Sequence, residues 1–442
     1  MAIDTKERGV QEPAHGQDGG NQEEGYLRPP DYLGRSVRVV GPQHSPDPYD
    51  DPHAKNRRGE LGRPLYHWYF NTISRDPLSR MGFNTHNADP KNLLTSVISR
   101  APRGGVNPEK TPVPDPVAMT QHIKRVAAFY GADAVGIART DPAYLYRGGA
   151  RRAEDDTMVA GPEGETPDTI AKRFPYAICY LVAWDYAMGR AHRHRIGDAA
   201  YFFSSGKNNI IAANLASYVR ELGYSVRQGV ANTMPMALLA GLGELGRHGI
   251  IISEKFGSRV HPGLILTDLP LVPDNPIDIG VADFCQICRK CATTCPTNSI
   301  SHDDKKVING VEKFAINWKT CYALRPYLSH IWQICLTCVA VCPYTKPNVW
   351  WRSLAVGLLR NTPIPLRPLV TRPLKWLDDL VWGTVPRKRV RWLGYDSGRE
   401  PGVDGCNIAG CSCHKEEEAS GLISEVGVYA PKKENAKRFH KR

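Results

Sequence analysis

The chain has 442 residues, of which 41% are hydrophobic and 23% charged. This balance supports a packed core and excludes disorder over the whole length, and no apolar run reaches the roughly 18 residues of a membrane-spanning helix. The formal net charge is +12, and residues 343–442 contribute most of the excess, with 18 Lys and Arg against 10 Asp and Glu (net +8). The basic residues are therefore too localised to indicate a nucleic-acid-binding surface over the whole chain.

Cysteine placement and the N-terminal sequence bear on the cellular compartment. The first sixteen residues contain neither a basic segment followed by an apolar one nor a twin-arginine pair, so the sequence predicts a cytoplasmic protein. Eight of the twelve cysteines fall between residues 285 and 342, three fall between residues 406 and 413, and Cys179 stands alone. Such clustering in a reducing compartment indicates metal binding rather than disulfides.

Composition and periodicity divide the chain into five segments. Residues 1–60, rich in Gly, Pro and charged residues, predict an extended or disordered arm, and an N-terminal wrap follows to residue 114. An α/β core is expected over 115–275, a segment holding both cysteine sets over 276–350, and a basic C-terminal wrap and tail over 351–442. In that last segment, residues 350–360 and 373–382 read as amphipathic helices that pack over the core, with membrane-surface or partner docking as the alternative.

The core segment opens with a clear helix signal over 115–131. Asp115 is placed to cap it, Pro116 to occupy its first position and Gly131 to end it. Five strands are expected after this helix, at 132–138, 176–184, 223–229, 249–253 and 264–271. Further helices are expected at about 210–222 and 234–242. This alternation of strands and helices indicates an α/β layer with a sheet at its centre.

The cysteines between residues 285 and 342 form two sets with the bacterial iron–sulfur spacing. The first set has the order C-x2-C-x2-C-x3-C-P, and the second repeats it with its first cysteine moved upstream. In this arrangement the fourth cysteine of each set serves the other cluster, so two [4Fe–4S] clusters are predicted. A zinc ribbon is the alternative, although zinc sites rarely show this order twice. One predicted quartet is Cys285, Cys288, Cys291 and Cys342, and the other is Cys295, Cys321, Cys335 and Cys338.

Iron–sulfur clusters transfer electrons but do not themselves act on an organic substrate. The protein is therefore either an electron carrier or a protein whose α/β segment binds a second redox cofactor. No G-x-G-x-x-G follows a predicted strand and no G-x4-G-K-[ST] occurs, which disfavours a dinucleotide or nucleotide site.

Several stretches resemble the reductive dehalogenases, which are cobalamin- and iron–sulfur-dependent enzymes. AGLGELGRHGIIISEKFGSRV (240–260), LTDLPLVPDNPIDIGVADFC (266–285) and both cysteine sets carry the resemblance, which extends over about 115–350. The epoxyqueuosine reductases, which modify tRNA, are similar in the first of these stretches and in LTDLPL. The resemblance implies a nitroreductase-like α/β (α+β) core that binds base-off cobalamin, joined to a ferredoxin-like domain with two [4Fe–4S] clusters. The lack of D-x-H-x-x-G, the motif that supplies His to cobalt, is consistent with base-off binding.

The resemblance also suggests residues for the active site. The family's Tyr proton donor matches Ser205, one helical turn after Tyr201, and its partner Arg matches His261, close to Arg259. Tyr201, Ser205, Lys207 and His261 are the candidate proton donors, each with a packing, capping or solvated role as its alternative. The acid position of the epoxyqueuosine reductases matches Phe203. Residues expected to contact the cofactor are Asn232, Gly241, Gly243 and Gly246.

The sequence thus favours a reductase acting on a carbon–halogen or similar bond of a small organic molecule. No fused reductase segment is present, so a separate ferredoxin or flavodoxin is the expected electron donor. An epoxyqueuosine-reductase-like tRNA enzyme and a ferredoxin-like electron carrier remain the alternatives. Near the C-terminus, Cys406, Cys411, Cys413 and His414 could hold a metal or be reduced thiols.

Overall fold

The computed structural model describes residues 35–47, 104–152, 158–159, 161–190, 195–323, 335–347 and 349–383, with residues 50, 55, 60, 391–392 and 395–396. The cysteines and histidine of 406–414 lie outside these residues, as do most of the predicted arm and wrap. Over the described part of the chain, no helix is both long and apolar enough to cross a membrane.

The described strands are short outside the central sheet. They are β1 (Arg38–Val39), β2 (Ala134–Arg139), β3 (Arg151–Arg152), β4 (Met158–Val159), β5 (Tyr176–Ala183), β6 (Val226–Arg227), β7 (Glu244–Leu245), β8 (Ile251–Ile252), β9 (Val260–Thr267), β10 (Lys306–Ile308), β11 (Val311–Lys313), β12 (Arg391–Trp392) and β13 (Tyr395–Asp396). The described helices are α1 (Pro116–Phe129), α2 (Pro167–Arg173), α3 (Tyr186–Arg190), α4 (Arg195–Glu221), α5 (Thr233–Leu239), α6 (Val281–Ile287), α7 (Lys290–Thr293), α8 (Trp318–Ala323), α9 (Thr337–Val341), α10 (Trp350–Asn361) and α11 (Arg367–Trp382).

The central sheet has the strand order β2-β5-β9-β6, and all its neighbouring strands are antiparallel. Alternate side chains point to opposite faces, so each face buries its own set of residues. Ile137, Ile178 and Ile265 pack with α1 and α4, whereas Cys179 and Leu266 pack with α5 on the other face. The core is therefore a sheet between two helical layers, and the mixed α/β content predicted from the sequence is confirmed.

Local signals explain where α1 begins and ends. The Asp115 carboxylate accepts hydrogen bonds from the N–H groups of Val117 (2.8 Å) and Ala118 (3.2 Å), and Pro116 occupies the first helical position. Gly131 adopts a positive φ of 104°, which favours glycine, directly after the helix. This predicted helix is confirmed almost residue by residue.

Four predicted elements differ from the structure. The strand expected at 223–229 is reduced to β6, and the strand expected at 264–271 begins earlier, at Val260. The apolar run 249–253 does not join the central sheet, because β8 pairs with β7 in a separate hairpin. The helix expected from about residue 210 starts at Arg195, so α4 has 27 residues.

The β7–β8 hairpin holds the start of α6 through Glu244. This side chain is fully buried, and its Oε2 accepts hydrogen bonds from the N–H groups of Ile279 (2.7 Å) and Val281 (3.0 Å). Burial, followed by the nearby Asp278, raises the pKa of Glu244 to about 7, although the two N–H groups and Arg367 oppose this shift.

Part of the predicted arm and the C-terminal helices pack on the same region. Residues 35–47 are extended, with Val37 buried and β1 paired to β11. Helix α11 turns charged residues inward, where Arg367 binds Asp278 (2.7 Å) and Asp283 (2.9 Å). The outward faces of α10 and α11 carry large exposed apolar side chains, such as Leu354 and Trp376.

We predict that Glu244→Gln changes how stability depends on pH. A carboxyl group whose pKa is raised from about 4.5 to about 7 by folding stabilises the protein fully below pH 4.5, and this contribution is lost as the pH rises through 7. The Gln amide oxygen can accept the same two N–H groups without ionising. In denaturant titrations from pH 4.5 to 8.5, the wild type should therefore lose stability relative to the variant as the pH rises. A difference that stays constant over this range would contradict the assignment.

Candidate functional site

The eight cysteines of the two sets fall into a buried and a partly buried group. Four are only 6–7% exposed, and these are the members of one predicted quartet, here called the buried quartet: Cys285, Cys288, Cys291 and Cys342. The other four have intermediate exposure and form the partly buried quartet: Cys295, Cys321, Cys335 and Cys338. Short helices present both sets, because α6 carries Cys285, α7 carries Cys291 and α9 leads into Cys342.

Packing links three members of the buried quartet, whereas its fourth member, Cys291, packs in a cluster with Cys295 and Cys338 of the other quartet. Cys285, Cys288 and Cys342 share one apolar cluster although Cys342 belongs to the second set in the sequence. Burial raises the pKa of the Cys288 thiol to about 11, and nearby Cys342 adds to the shift. Burial also raises the pKa of Cys338. The three thiols whose charges add most to this rise are Cys335, Cys321 and Cys295, the other members of its predicted quartet. Four thiols around each of two sites are the donor set that [4Fe–4S] clusters require.

Among the described residues, no group of three His, Cys, Asp or Glu side chains is arranged to hold one metal ion.

Two residues that the sequence analysis did not select contact the surroundings of the buried quartet. Arg247 is fully buried and donates hydrogen bonds to the carbonyl oxygens of Cys285 (3.0 Å), Ser301 (2.9 Å) and Asp303 (2.8 Å). The neighbouring His248 lies 2.9 Å from the Ser258 hydroxyl, and a hydrogen bond from Ser258 opposes the rise that burial gives the pKa of Cys342. Their only sequence signal is the presence of charged and titratable residues in an apolar, glycine-rich run.

Lys290 is a further buried cation next to the cysteines. Its ammonium group binds Asp378 and Asp379 of α11, the latter at 2.7 Å. Hydrogen bonds and charge from these two carboxylates outweigh burial and raise the pKa of Lys290. The carboxylates of Asp378 and Asp379 therefore neutralise the positive charge of Lys290.

An aromatic group lies where β5 ends and β9 begins. His261 is paired with Val182 in the antiparallel register, so it lies near Trp184, which directly follows β5. The Tyr201 ring on α4 contacts both, with centroid distances of 5.3 Å to His261 and 5.5 Å to Trp184. The structure therefore brings together two of the predicted catalytic residues, Tyr201 and His261.

Arg259 joins the same group from the loop before β9. It is buried, its guanidinium donates a hydrogen bond to the Trp184 carbonyl, and the Trp184 N–H donates to the Arg259 carbonyl (2.9 Å). Desolvation lowers the pKa of Arg259, and nearby Asp185 and Asp133 oppose the shift. A buried guanidinium beside aromatic rings is suited to binding an anion.

Three buried polar atoms near this group have no hydrogen-bond partner among the described residues. They are Trp184 Nε1, Arg259 Nε and Asn208 Oδ1, the last on α4 two turns after Tyr201. Buried polar atoms are almost always satisfied in native proteins, so atoms left unpaired often face a ligand. The two donors, Trp184 Nε1 and Arg259 Nε, are therefore the atoms of this group available to a ligand, whereas Asn208 Oδ1 packs against Gly263 of β9.

The remaining predicted catalytic residues lie on other parts of α4. Ser205 follows Tyr201 by one turn and is buried. Lys207 is half-buried and runs alongside Gly131, at the end of α1. Their catalytic roles stay predictions.

The residues predicted to contact the cofactor have visible structural roles. Asn232 caps α5, where its side chain accepts from the Met234 N–H (3.3 Å). A Cβ at Gly241 or Gly243 would lie 2.4 Å from a backbone oxygen of the protein itself, and one at Gly246 would meet the His248 ring at 2.7 Å. These close approaches already account for the glycines, so their contact with a cofactor stays a prediction.

Sequence comparisons connect this site with known proteins. A family model described as a 4Fe-4S dicluster domain matches residues 284–346, which include all eight cysteines. The chain is 31% identical to a tetrachloroethene reductive dehalogenase of Desulfitobacterium hafniense over 63% of its length, covering 54% of that protein. It is 29% identical to the enzyme of the same name from Sulfurospirillum multivorans, over 64% of this chain and 58% of that one. An epoxyqueuosine reductase of Salmonella typhimurium is 24% identical, over 52% of this chain and 65% of that protein.

The fold is also shared with a solved structure. A catabolic reductive dehalogenase matches with a TM-score of 0.63 and 23% identity, over 82% of this chain and 51% of that one. The resemblance predicted from the sequence is confirmed: the chain is a relative of the reductive dehalogenases and, more distantly, of the epoxyqueuosine reductases. It spans about half the length of the dehalogenases that it matches. The dicluster match supports two [4Fe–4S] clusters.

We predict that Cys285→Ser lowers the iron content by about half, from about eight atoms per chain, because one [4Fe–4S] cluster loses a ligand. The matched control is Cys179→Ala. Cys179 is also fully buried, but it lies in the central sheet, where it donates to the carbonyls of Ala177 and Met236. Iron and sulfide analysis after anaerobic reconstitution checks both variants. Full iron content in Cys285→Ser, or equal losses in both variants, would contradict the ligand assignment.

Proposed function

Because the chain is a relative of the reductive dehalogenases, we propose that it reduces a carbon–halogen bond of a small organic molecule. Cobalamin is the proposed cofactor for the bond cleavage, and two [4Fe–4S] clusters supply the electrons. The observation that carries the proposal is the position of the aromatic group. His261 lies only three residues after Ser258, and Ser258 acts on the pKa of the predicted cluster ligand Cys342. A redox-active metal site and a candidate substrate site thus share one short segment.

We further assign the central sheet and its helices, residues 115–275, to a nitroreductase-like core that binds base-off cobalamin. The two-cluster domain would then cover 276–350, and the C-terminal wrap and tail 351–442. The unpaired donors Trp184 Nε1 and Arg259 Nε support a bound group at the end of the sheet. Cobalamin, when bound, would supply the low-potential cobalt centre that accepts electrons from the clusters and reacts with the carbon–halogen bond.

The exposure of the cysteines supports a direction for electron flow. The partly buried quartet would receive electrons from an external donor, and the buried quartet would pass them toward β9. A separate ferredoxin or flavodoxin is the proposed donor. Its acidic surface would match the net positive charge of the chain.

The reaction consumes two electrons and one proton: R–X + 2e⁻ + H⁺ gives R–H + X⁻. Tyr201 is the favoured proton donor, because its ring contacts His261 and Trp184 beside the unpaired polar atoms. His261 is placed to orient the Tyr201 ring. The buried guanidinium of Arg259 would stabilise the departing halide.

The proposal is tested by reconstituting the full chain anaerobically with cobalamin, iron and sulfide. We expect about eight iron atoms and one cobalt per chain, a base-off Co(II) EPR signal, and halide release from haloaromatic or haloalkene probes. Eight iron atoms without retained cobalt would instead indicate an electron carrier. Conversion of an epoxyqueuosine-containing tRNA stem-loop without any halide release would indicate the tRNA-modifying reaction.

We predict that Tyr201→Phe lowers kcat for halide release by about 10²–10⁴-fold, the usual contribution of a positioned general acid. Iron content should be unchanged, because Tyr201 lies on α4 and none of the eight cysteines does. The matched control, Tyr218→Phe, lies on the same helix and removes a hydroxyl that contacts His122 instead (2.5 Å). Equal activities of the two variants would exclude Tyr201 as the donor.

A further inference from the structure

The turn between β7 and β8 places two consecutive side chains beside the buried quartet. Arg247 reaches the carbonyl of Cys285, which belongs to the first cysteine set, and His248 reaches Ser258, whose hydroxyl donates toward Cys342 of the second set. The turn therefore contacts both of the cysteine sets that are predicted to share one cluster.

Arg247 supplies a buried positive charge at this position. Its guanidinium lies 3.9 Å from the centre of the Phe314 ring, and the cysteines that oppose the lowering of its pKa by burial are Cys285, Cys291 and Cys288, all of the buried quartet. Over the described part of the chain, no carboxylate lies within ion-pair distance of Arg247. Lys290, by contrast, is compensated by Asp378 and Asp379.

A buried cation without a carboxylate partner is costly unless some other negative charge stabilises it. A [4Fe–4S] cluster with four thiolate ligands is itself an anion, and reduction makes it more negative. Arg247 is thus placed to stabilise the cluster, and to stabilise its reduced form more than its oxidised form.

His248 acts through Ser258. The Ile250 N–H donates to His248 Nδ1 (3.2 Å), so the ring hydrogen lies on Nε2 and donates to the Ser258 hydroxyl. Complete burial lowers the pKa of His248 to about 4, which keeps this ring neutral. With its oxygen accepting from His248, Ser258 directs its own hydrogen toward Cys342. Hydrogen bonds to ligand sulfurs are among the factors that set cluster potentials.

We propose that the Arg247–His248 turn is a positioning element that raises the reduction potential of the cluster held by the buried quartet. Arg247 acts through its charge, and His248 acts by orienting Ser258 toward Cys342. This inference rests on the two-cluster part of the proposed function but is independent of the substrate and of cobalamin binding.

The test is an EPR-monitored redox titration of the full chain after iron–sulfur reconstitution. We expect Arg247→Met to lower the ratio of reduced to oxidised buried cluster by about tenfold at the wild-type midpoint, which corresponds to a shift of about 59 mV for one electron. Ser258→Ala should shift the same cluster in the same direction by a smaller amount. The other cluster, identified from a variant that lacks Cys335, should keep its potential and serves as the internal control.

Arg289→Met is the matched control variant. Arg289 lies between Cys288 and Lys290 in the sequence but is exposed to solvent, so its charge is screened and its removal should shift the potential far less. Unshifted potentials in both Arg247→Met and Ser258→Ala, or equal shifts of both clusters, would overturn the proposal. If Arg247→Met does not retain its iron, an unshifted potential in fully loaded Ser258→Ala would still overturn it. Wild-type protein with fewer than about eight iron atoms would instead count against the two-cluster assignment itself.

Discussion

The buried guanidinium of Arg247 is the contact on which the organisation of the described structure depends. It binds the peptide carbonyls of Cys285, Ser301 and Asp303, while Glu244 of the same hairpin binds the N–H groups at the start of α6. Helix α6 is therefore held at both ends by one hairpin that belongs to the core. Since α6 carries Cys285 and leads directly to Cys288, the first cysteine loop has a fixed position relative to the central sheet.

The sequence predicted best those elements whose limits are set locally. Helix α1 has its own capping residue, first-turn proline and terminal glycine, and strands β2 and β5 are long apolar runs between turn residues. The run 249–253 is equally apolar but forms a hairpin with residues 244–245. An apolar run indicates burial but does not specify a partner, so periodicity alone could not exclude it from the central sheet.

The sequence pattern also does not show which residues meet at the candidate site. Tyr201 and His261 are 60 residues apart in the sequence (261 − 201), and they meet because β9 runs antiparallel to β5 and α4 covers that face. The spacing of the cysteines, in contrast, predicts a shared ligand set from the sequence alone, since metal ligands must converge whatever the surrounding fold. Arg247, His248 and Ser258 carry no such spacing rule. Their contacts became visible only once the hairpin and the cysteine loops were placed side by side.

The proposed electron and proton routes reach the same segment from different elements. Electrons would arrive from the second cysteine set, where Ser258 donates toward Cys342, and the proton would arrive from α4, where Tyr201 meets His261. Arg259 lies between these two positions and binds the backbone that follows β5, so a shift of the segment would disturb both routes together. A reductive bond cleavage needs both to act at one carbon atom. Both contacts would then lie within residues 258–261, in one short stretch of chain.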